Sequence, residues 1–313
     1  MGDAVEKILV IKLGALGDVI LALGAMEAIR KHHPQARITL LTTRPFVDLM
    51  ERSGYVDDII IDSRPKIYDV RGWFFLFRQF SRGKFTRIYD LQMNDRTATY
   101  RRLFLSAPEW SGVGAAGDLV YTGGDLKSKH AFDRHKIVLE KAGIPVHLPD
   151  VGWMKADIST LGVTSPYVLF VPGSAPTRPE KRWPAVRYAG LARKLMRDGY
   201  QVVLLGARAE SDVTAAIARA CPGVVDLTGR TSLYDVAALA RGAAATVGND
   251  TGPVHLTAVA GCPTVALFCL QASVPEKSAP VGVAVQVLAA DDMTDISVDD
   301  VYKTVTQCAR QAG

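Results

Sequence analysis

Short apolar runs alternate with longer amphipathic stretches along almost the whole chain. In the first half, residues 8–11, 38–41, 58–61 and 87–91 are apolar runs of strand length. Apolar positions three and four apart, the helical spacing, fill 18–33, 45–53, 94–105 and 130–142. Strands that alternate with helices in this way build a parallel sheet covered on both faces. Glycine and proline then punctuate 143–151, around Pro145 and Pro149, as an interdomain linker would. Beyond it the same grammar restarts. Strand-like runs at 167–171, 201–205, 224–227, 244–247 and 264–268 are separated by helical patterns at 185–198, 210–220, 232–241 and 254–260, and with the acid-glycine run 248–255 they are expected to complete a six-element sheet. The chain reads as α/β, two Rossmann-like domains (residues 1–150 and 151–313) facing across a cleft, with a C-terminal helix free to pack back on the first domain. Ligands of such sheets bind beyond the carboxyl ends of the strands. Three segments lie at such ends: the turn 12–18, the polar loop 172–184 and the run 248–255.

Composition narrows this picture. At 313 residues, 48% hydrophobic and 22% charged, the chain has the make-up of a soluble globular protein with room for two domains. It holds no apolar run of the ~18 residues a membrane helix needs. The acidic start Met1-Gly2-Asp3-Ala4-Val5-Glu6 lacks the basic and apolar regions of a secretory signal. Cys221, Cys262, Cys269 and Cys308 show no C-x-x-C spacing, so structural zinc is not expected and the cytoplasm is the economical location.

The formal charge of +5 is unevenly placed. Residues 71–102 hold eight Lys and Arg against Asp90 and Asp95, with Trp73, Phe74, Phe75, Phe77, Phe80 and Phe85 interleaved. Two readings stay open. One is a helix that buries its aromatic face beneath solvated arginines. The other is a patch that meets an anionic membrane leaflet or a phosphorylated lipid. No nucleic-acid-binding motif accompanies the charge, so nucleic acid is not an expected partner.

The densest chemistry lies in Gly248-Asn249-Asp250-Thr251-Gly252-Pro253-Val254-His255. Its glycines let the backbone approach a ligand closely. Thr251 stands where it would cap the following helix, and a helix start with free N–H groups attracts phosphate. The run reads as a nucleotide-diphosphate cradle. The turn Leu13-Gly14-Ala15-Leu16-Gly17-Asp18 differs, because its spacing is not G-x-G-x-x-G and an aspartate at a helix start repels phosphate. Asp18 is therefore either a helix cap or a carboxylate aimed at a cleft. Asp250 has no second acid in a D-x-D spacing, so no metal is expected. Lys181 is weighed as ligand or solvated charge, and Arg182 is read as solvated.

Three segments, Ile11-Lys12-Leu13-Gly14-Ala15-Leu16-Gly17-Asp18-Val19, Pro172-Gly173-Ser174 with Lys181-Arg182-Trp183-Pro184, and the run 248–255, resemble the signature of the ADP-heptose:lipopolysaccharide heptosyltransferases, glycosyltransferase family 9. The resemblance implies a GT-B fold, an ADP-sugar donor on the second domain and a lipopolysaccharide-core or other anionic glycolipid or glycan acceptor on the first. It implies inversion at the anomeric carbon with no metal and no cofactor. By position it makes Asp18 the general base and sets Lys12, Thr177, Lys181, Glu210, Asp250, Thr251, Gly252 and His255 on the donor. Lys181 would meet the phosphates and Glu210 the ribose. His130, Arg134 and Arg96 would serve the acceptor. An acceptor of this kind points to the cytoplasm, at the peripheral inner face of the inner membrane. One departure concerns the sugar. Where the family continues with Phe-Gly-Pro-Thr, this chain has Phe268-Cys269-Leu270-Gln271, which leaves the identity of the transferred sugar open. Two other functions compete on the same architecture: an epimerase or phosphorylase using another nucleotide sugar, and a non-catalytic nucleotide-binding module.

Overall fold

The computed structural model describes residues 5–113, 120–121 and 125–311. The chain divides into two compact units, Met1–Pro149 and Asp150–Gly313. The first runs β1 (Lys7–Ile11), α1 (Leu16–His32), β2 (Arg37–Thr42), α2 (Val47–Glu51), β3 (Asp58–Ile61), α3 (Val70–Gly83), β4 (Arg87–Asp90), α4 (Asp95–Tyr100), β5 (Glu109–Val113), β6 (Val120–Tyr121) and α5 (Ala131–Glu140). Its strands form one parallel sheet in the order β3-β2-β1-β4-β5-β6. In β1, Ile8 through Ile11 are all buried, because a parallel sheet covered on both faces needs continuous rather than alternating apolar runs.

The second unit runs β7 (Tyr167–Val171), α6 (Ala185–Arg197), β8 (Gln201–Leu204), α7 (Ser211–Ala220), β9 (Val225–Asp226), α8 (Leu233–Gly242), β10 (Ala245–Asn249), α9 (Gly252–Val259), β11 (Thr264–Cys269), α10 (Pro275–Ser278), β12 (Val285–Ala290) and α11 (Val298–Gln311). Its sheet is also parallel, in the order β12-β11-β10-β7-β8-β9. Both sheets thus repeat the strand order 3-2-1-4-5-6 of dinucleotide-binding folds. In that order the winding reverses beside the first strand, and a crevice opens at the carboxyl ends there. The reversal falls between β1 and β4 in the first unit and between β7 and β10 in the second.

Several expectations needed correction. Of the basic segment 71–102, the reading as a single helix holds for α3 alone, which stops at Gly83 where Lys84 turns left-handed (φ 49°); the strand expected at 87–91 follows as β4, and then α4. The helix expected over 94–105 ends at Tyr100 and passes into a tight turn at Arg101–Leu103. Strands β5 and β6 carried no pattern strong enough to predict, and β12 forms from an apolar run at 285–290 that was not among the expected strands. The C-terminal helix α11 packs on α6, β10 and β11 of its own unit, with Val301, Val305 and Cys308 in that core. All four cysteines are buried and unpaired. Among the described residues, no helix is long and apolar enough to cross a membrane.

Candidate active site

At the first switch point, the turn after β4 is built around Asp90. Its Oδ1 accepts from the N–H groups of Gln92 and Met93 at 3.0 Å each, and its Oδ2 accepts from Thr97 Oγ1 at 2.7 Å. Burial pushes this carboxyl up to about 6 in spite of those bonds. The turn presents Gln92 Oε1 to the Leu13 N–H at 2.8 Å, and the Leu91 carbonyl to Lys12 Nζ and His135 Nε2 at 3.1 Å each. Lys12 is only 4% exposed, and burial brings its ammonium down to about 8 although the Asp18 charge opposes that shift. Burial also drives the His135 imidazolium far below its ordinary range, so the ring is neutral and donates through Nε2.

The β1–α1 turn holds Asp18. Gly14 sits at φ +117°, and a Cβ there would lie 2.6 Å from the Phe46 ring, so glycine is required. Asp18 Oδ2 accepts from the Ala15 N–H at 3.1 Å, while Oδ1 has no hydrogen-bond partner among the described residues. The cap and base readings are therefore compatible: one oxygen fixes the side chain and the other remains a proton acceptor. Beside this turn lies a depression of about 640 Å³ whose lining includes Ala15, Leu16, Phe46, Arg44, Asp62 and Arg64. Arg64 is aimed by its Nη2 donating to the Leu13 carbonyl at 2.7 Å. Neither arginine was singled out from the sequence. The available signal was an Arg-Pro pair closely following each of β2 and β3.

At the second switch point, Asn249 organises the site. Its Oδ1 accepts from the Trp183 N–H and Tyr188 Oη at 3.1 Å each, and its Nδ2 donates to the carbonyls of Pro172 (2.7 Å) and Gly173 (3.2 Å). Both ends of loop 172–184 are thereby tied to the end of β10. Arg182 clamps the same loop, with Nε on Ser174 Oγ at 2.9 Å and Nη2 on the Ser174 carbonyl at 3.2 Å, so it is not the solvated charge expected. The loop delivers Lys181 Nζ to Asp250 Oδ2 at 2.6 Å. His255 Nε2 stands 3.7 Å from Asp250 Oδ1, within ion-pair reach but long for a hydrogen bond. Burial alone would raise the Asp250 carboxyl, but His255, Lys181 and Ser273 together hold it below its ordinary value. Ser273 was not foreseen, and its hydroxyl borders the loop 269–271.

Glu210 follows β8, the strand position that carries the ribose-binding acid in dinucleotide sheets. Its Oε2 accepts from the Ala207 N–H at 2.7 Å, and burial raises its pKa. The carboxylate lies directly over Gly173, where a Cβ would come within 1.8 Å of Oε1. Thr251 occupies the N-cap position of α9, but its hydroxyl donates back to the Asn249 carbonyl at 3.2 Å instead of capping. No side chain caps α9; Pro253 has no N–H and the Val254 N–H donates to the Thr251 carbonyl at 3.1 Å, so in the first turn the Gly252 N–H is the donor left for an anion. Thr177 is exposed on the loop.

The remaining predicted residues separate. Arg134, on the first turn of α5, is near enough to Lys12 and His135 to lower both pKa values. His130 is the N-cap of α5, its Nδ1 accepting from the Phe132 N–H at 3.2 Å. Arg96 is engaged by the Pro65 carbonyl and Tyr100 Oη at 3.3 Å. Among the described residues, no group of three His, Cys, Asp or Glu could hold a metal ion.

A family model described as glycosyltransferase family 9 (heptosyltransferase) matches residues 133–303, more than half of the chain. Lipooligosaccharide heptosyltransferase 2 of Haemophilus influenzae is 37% identical over 108 residues, 33% of this chain and 31% of that protein. The matches to this relative and the next two span 31% to 34% of those proteins' own length. Among solved structures, a family 9 glycosyltransferase from Veillonella parvula is similar at a TM-score of 0.81 and 24% identity, over 99% of each chain. Escherichia coli ADP-heptose lps heptosyltransferase II is similar at a TM-score of 0.76 and 22% identity, over 98% of this chain and 99% of that one. These structural likenesses carry the fold.

Proposed function

The chain belongs to glycosyltransferase family 9, the heptosyltransferases, and from that premise we propose that it transfers a sugar, most simply heptose, from an ADP-sugar to the core of a lipopolysaccharide or a related anionic glycolipid. The observation that carries the donor assignment is the second switch point, where Lys181, Asp250, His255 and the uncapped start of α9 meet, with Glu210 at the neighbouring strand end. A diphosphate there exchanges the Asp250–Lys181 pair for its own contact with Lys181 and takes a hydrogen bond from the Gly252 N–H at the start of α9. Glu210 is placed for the ribose hydroxyls.

Asp18 acts as the base on the acceptor side. As the acceptor oxygen forms its bond to the anomeric carbon, its proton passes to Asp18 Oδ1. The bond from that carbon to the diphosphate breaks with its electron pair, and ADP leaves with charge neutralised by Lys181 and the α9 dipole. One base and no carboxylate nucleophile give inversion. The depression bearing Arg44 and Arg64 beside the Asp18 turn suits an acidic sugar or phosphate of the acceptor. Such an acceptor puts the reaction in the cytoplasm, at the inner leaflet. Cys269–Gln271, beside Ser273, is where the choice of sugar would be made.

The test is calorimetry with ADP, ADP-heptose and UDP-sugars, followed by turnover with a core acceptor in EDTA. Selective binding of the ADP compounds and undiminished turnover are expected. Tight UDP-sugar binding with none of ADP would remove the donor assignment, and loss of turnover on chelation the metal-free mechanism.

A further inference from the structure

Helix α3 carries a surface that neither the core nor the transfer chemistry uses. Its inner side is filled: Leu76 and Phe80 are buried, and Phe80 stacks on Phe104 at 4.7 Å. Yet five large apolar side chains in and just before its first turns face solvent. Ile67 is 91% exposed, Val70 75%, Tyr68 72%, Phe74 61% and Phe75 44%. Singly exposed apolar residues are ordinary, but five within nine positions make a patch, and patches mark interaction surfaces. The segment is firmly built. Asp69 Oδ1 caps the helix by accepting from the Gly72 N–H at 2.9 Å, and Trp73 Nε1 donates to the Lys66 carbonyl at 3.0 Å.

Basic residues share this face. Arg71, Phe74, Phe75, Arg78 and Arg82 follow helical spacing, and all five are exposed. Lys66 and Lys84 flank them, and the only acid between is Asp69, which is spent on the cap. Aromatic and aliphatic side chains interleaved with cations match the acyl–headgroup boundary of an anionic leaflet. Arg87, which the sequence grouped with these, does not belong: it pairs with Glu109 at 2.6 Å and lies 3.6 Å from Glu6. The patch is also continuous with the acceptor side. Ser63 and Arg64 line the depression beside the Asp18 turn, and Pro65 leads directly from them into Lys66 and Ile67.

We propose that the 66–82 face is a docking surface for an anionic phospholipid bilayer, into which Ile67, Val70, Phe74 and Phe75 insert and whose headgroups Arg71, Arg78 and Arg82 hold. This rests on the glycolipid reading of the acceptor and names the surface that presents it, but it needs neither donor nor turnover. Its failure is therefore separable from failure of the proposed activity.

The experiment is co-sedimentation of the full chain, without substrates, on phosphatidylglycerol-containing vesicles and on phosphatidylcholine vesicles. Binding to the anionic vesicles alone, falling with salt, is expected. Removing each arginine should weaken it about fivefold, so Arg78→Glu with Arg82→Glu abolishes it at moderate salt. Phe74→Ser with Phe75→Ser should also release the protein, while equal charge reversal at Lys303 and Arg310 on α11 leaves it bound. Because every altered side chain is exposed, thermal midpoints and ADP affinity should stay at wild-type values. Phe74→Trp should be quenched by brominated lipid in anionic vesicles only. The proposal is overturned if wild type does not prefer anionic vesicles, or if the α11 control releases it equally. It is overturned as well if the patch variants bind normally but convert a dimer to a monomer, which would make the occupant a second copy.

Discussion

Two side chains in the Asp18 cluster can be tested by single-atom logic. In Asp18→Asn the amide oxygen can still accept from the Ala15 N–H, so the first turn of α1 keeps its hydrogen bond. What is lost is proton affinity. Turnover should fall by about 10²–10⁴-fold, the usual worth of a positioned base, with ADP affinity and the unfolding midpoint unchanged. A variant that loses donor binding in step with activity would make Asp18 a ligand instead. Lys12 is the converse case. Its pKa is lowered from 10.5 to about 8 by burial, so at pH 7 it is charged in both states and the folded protein bears the cost of enclosing the cation. That lowering corresponds to about 3 kcal/mol. The penalty is complete below pH 8 and fades as pH rises from 8 toward 10.5, where the unfolded chain also loses its proton. Lys12→Met should therefore raise stability at pH 7, with His135 still donating to the Leu91 carbonyl, and the gain should shrink in melts toward pH 10. If Lys12 serves through its burial at the β1–β4 junction, ADP affinity stays constant in this variant. If it contacts donor phosphate, as the resemblance implies, affinity falls.

At the scale of elements, the strands and long helices could be read from periodicity because a buried strand and an amphipathic helix each impose a local repeat. The parts that shape the two switch points could not. Lys12 bonds to a carbonyl 79 residues away, and Asn249 to one 77 residues away; no local pattern encodes such pairs. Asp90 and Gln92 were hidden inside a segment read for its positive charge, and Asn249 looked like one more polar residue in a glycine-rich run. The candidate motifs were visible as sequence, whereas the scaffolding that aims them emerged only from topology. Gly173 shows what this scaffolding implies. Its backbone has an ordinary φ, so alanine brings no conformational strain, but the new methyl would meet Glu210 Oε1 at 1.8 Å. The carboxylate, as the end of a flexible side chain, would swing aside at little cost. Gly173→Ala should thus leave the melting temperature near wild type and weaken ADP binding about tenfold or more, the value of a charged hydrogen bond. Combining it with Glu210→Ala should add little beyond the larger single effect. Fully additive losses in isothermal titration would show that Glu210 does not contact the ribose through this geometry.

For the whole molecule, the informative fact is that one strand order occurs twice and the predicted chemistry is divided between the two copies. The first unit keeps its own core around Leu9, Ile11, Leu76 and Trp110, and the second its own around Phe170, Trp183 and Leu204. Every residue assigned to the nucleotide except Lys12 lies in the second, on loops 172–184, 206–210 and 249–255. Ligand binding stabilises the segments that contact it by mass action, about 2.7 kcal/mol at a hundredfold excess over Kd. Amide hydrogen exchange of the full chain with and without saturating ADP should show new protection at 172–184, 205–211 and 249–256. Residues 12–18 and 90–94 should exchange as before, the outcome required by the role proposed for the Asp18 turn on the acceptor side. Protection of equal size at 12–18 would place Lys12 on the phosphates and make the β1–α1 turn part of the donor site. Protection at 12–18 and 44–64 on adding a core glycolipid, with ADP already bound, is the complementary result expected of a turn that holds the base.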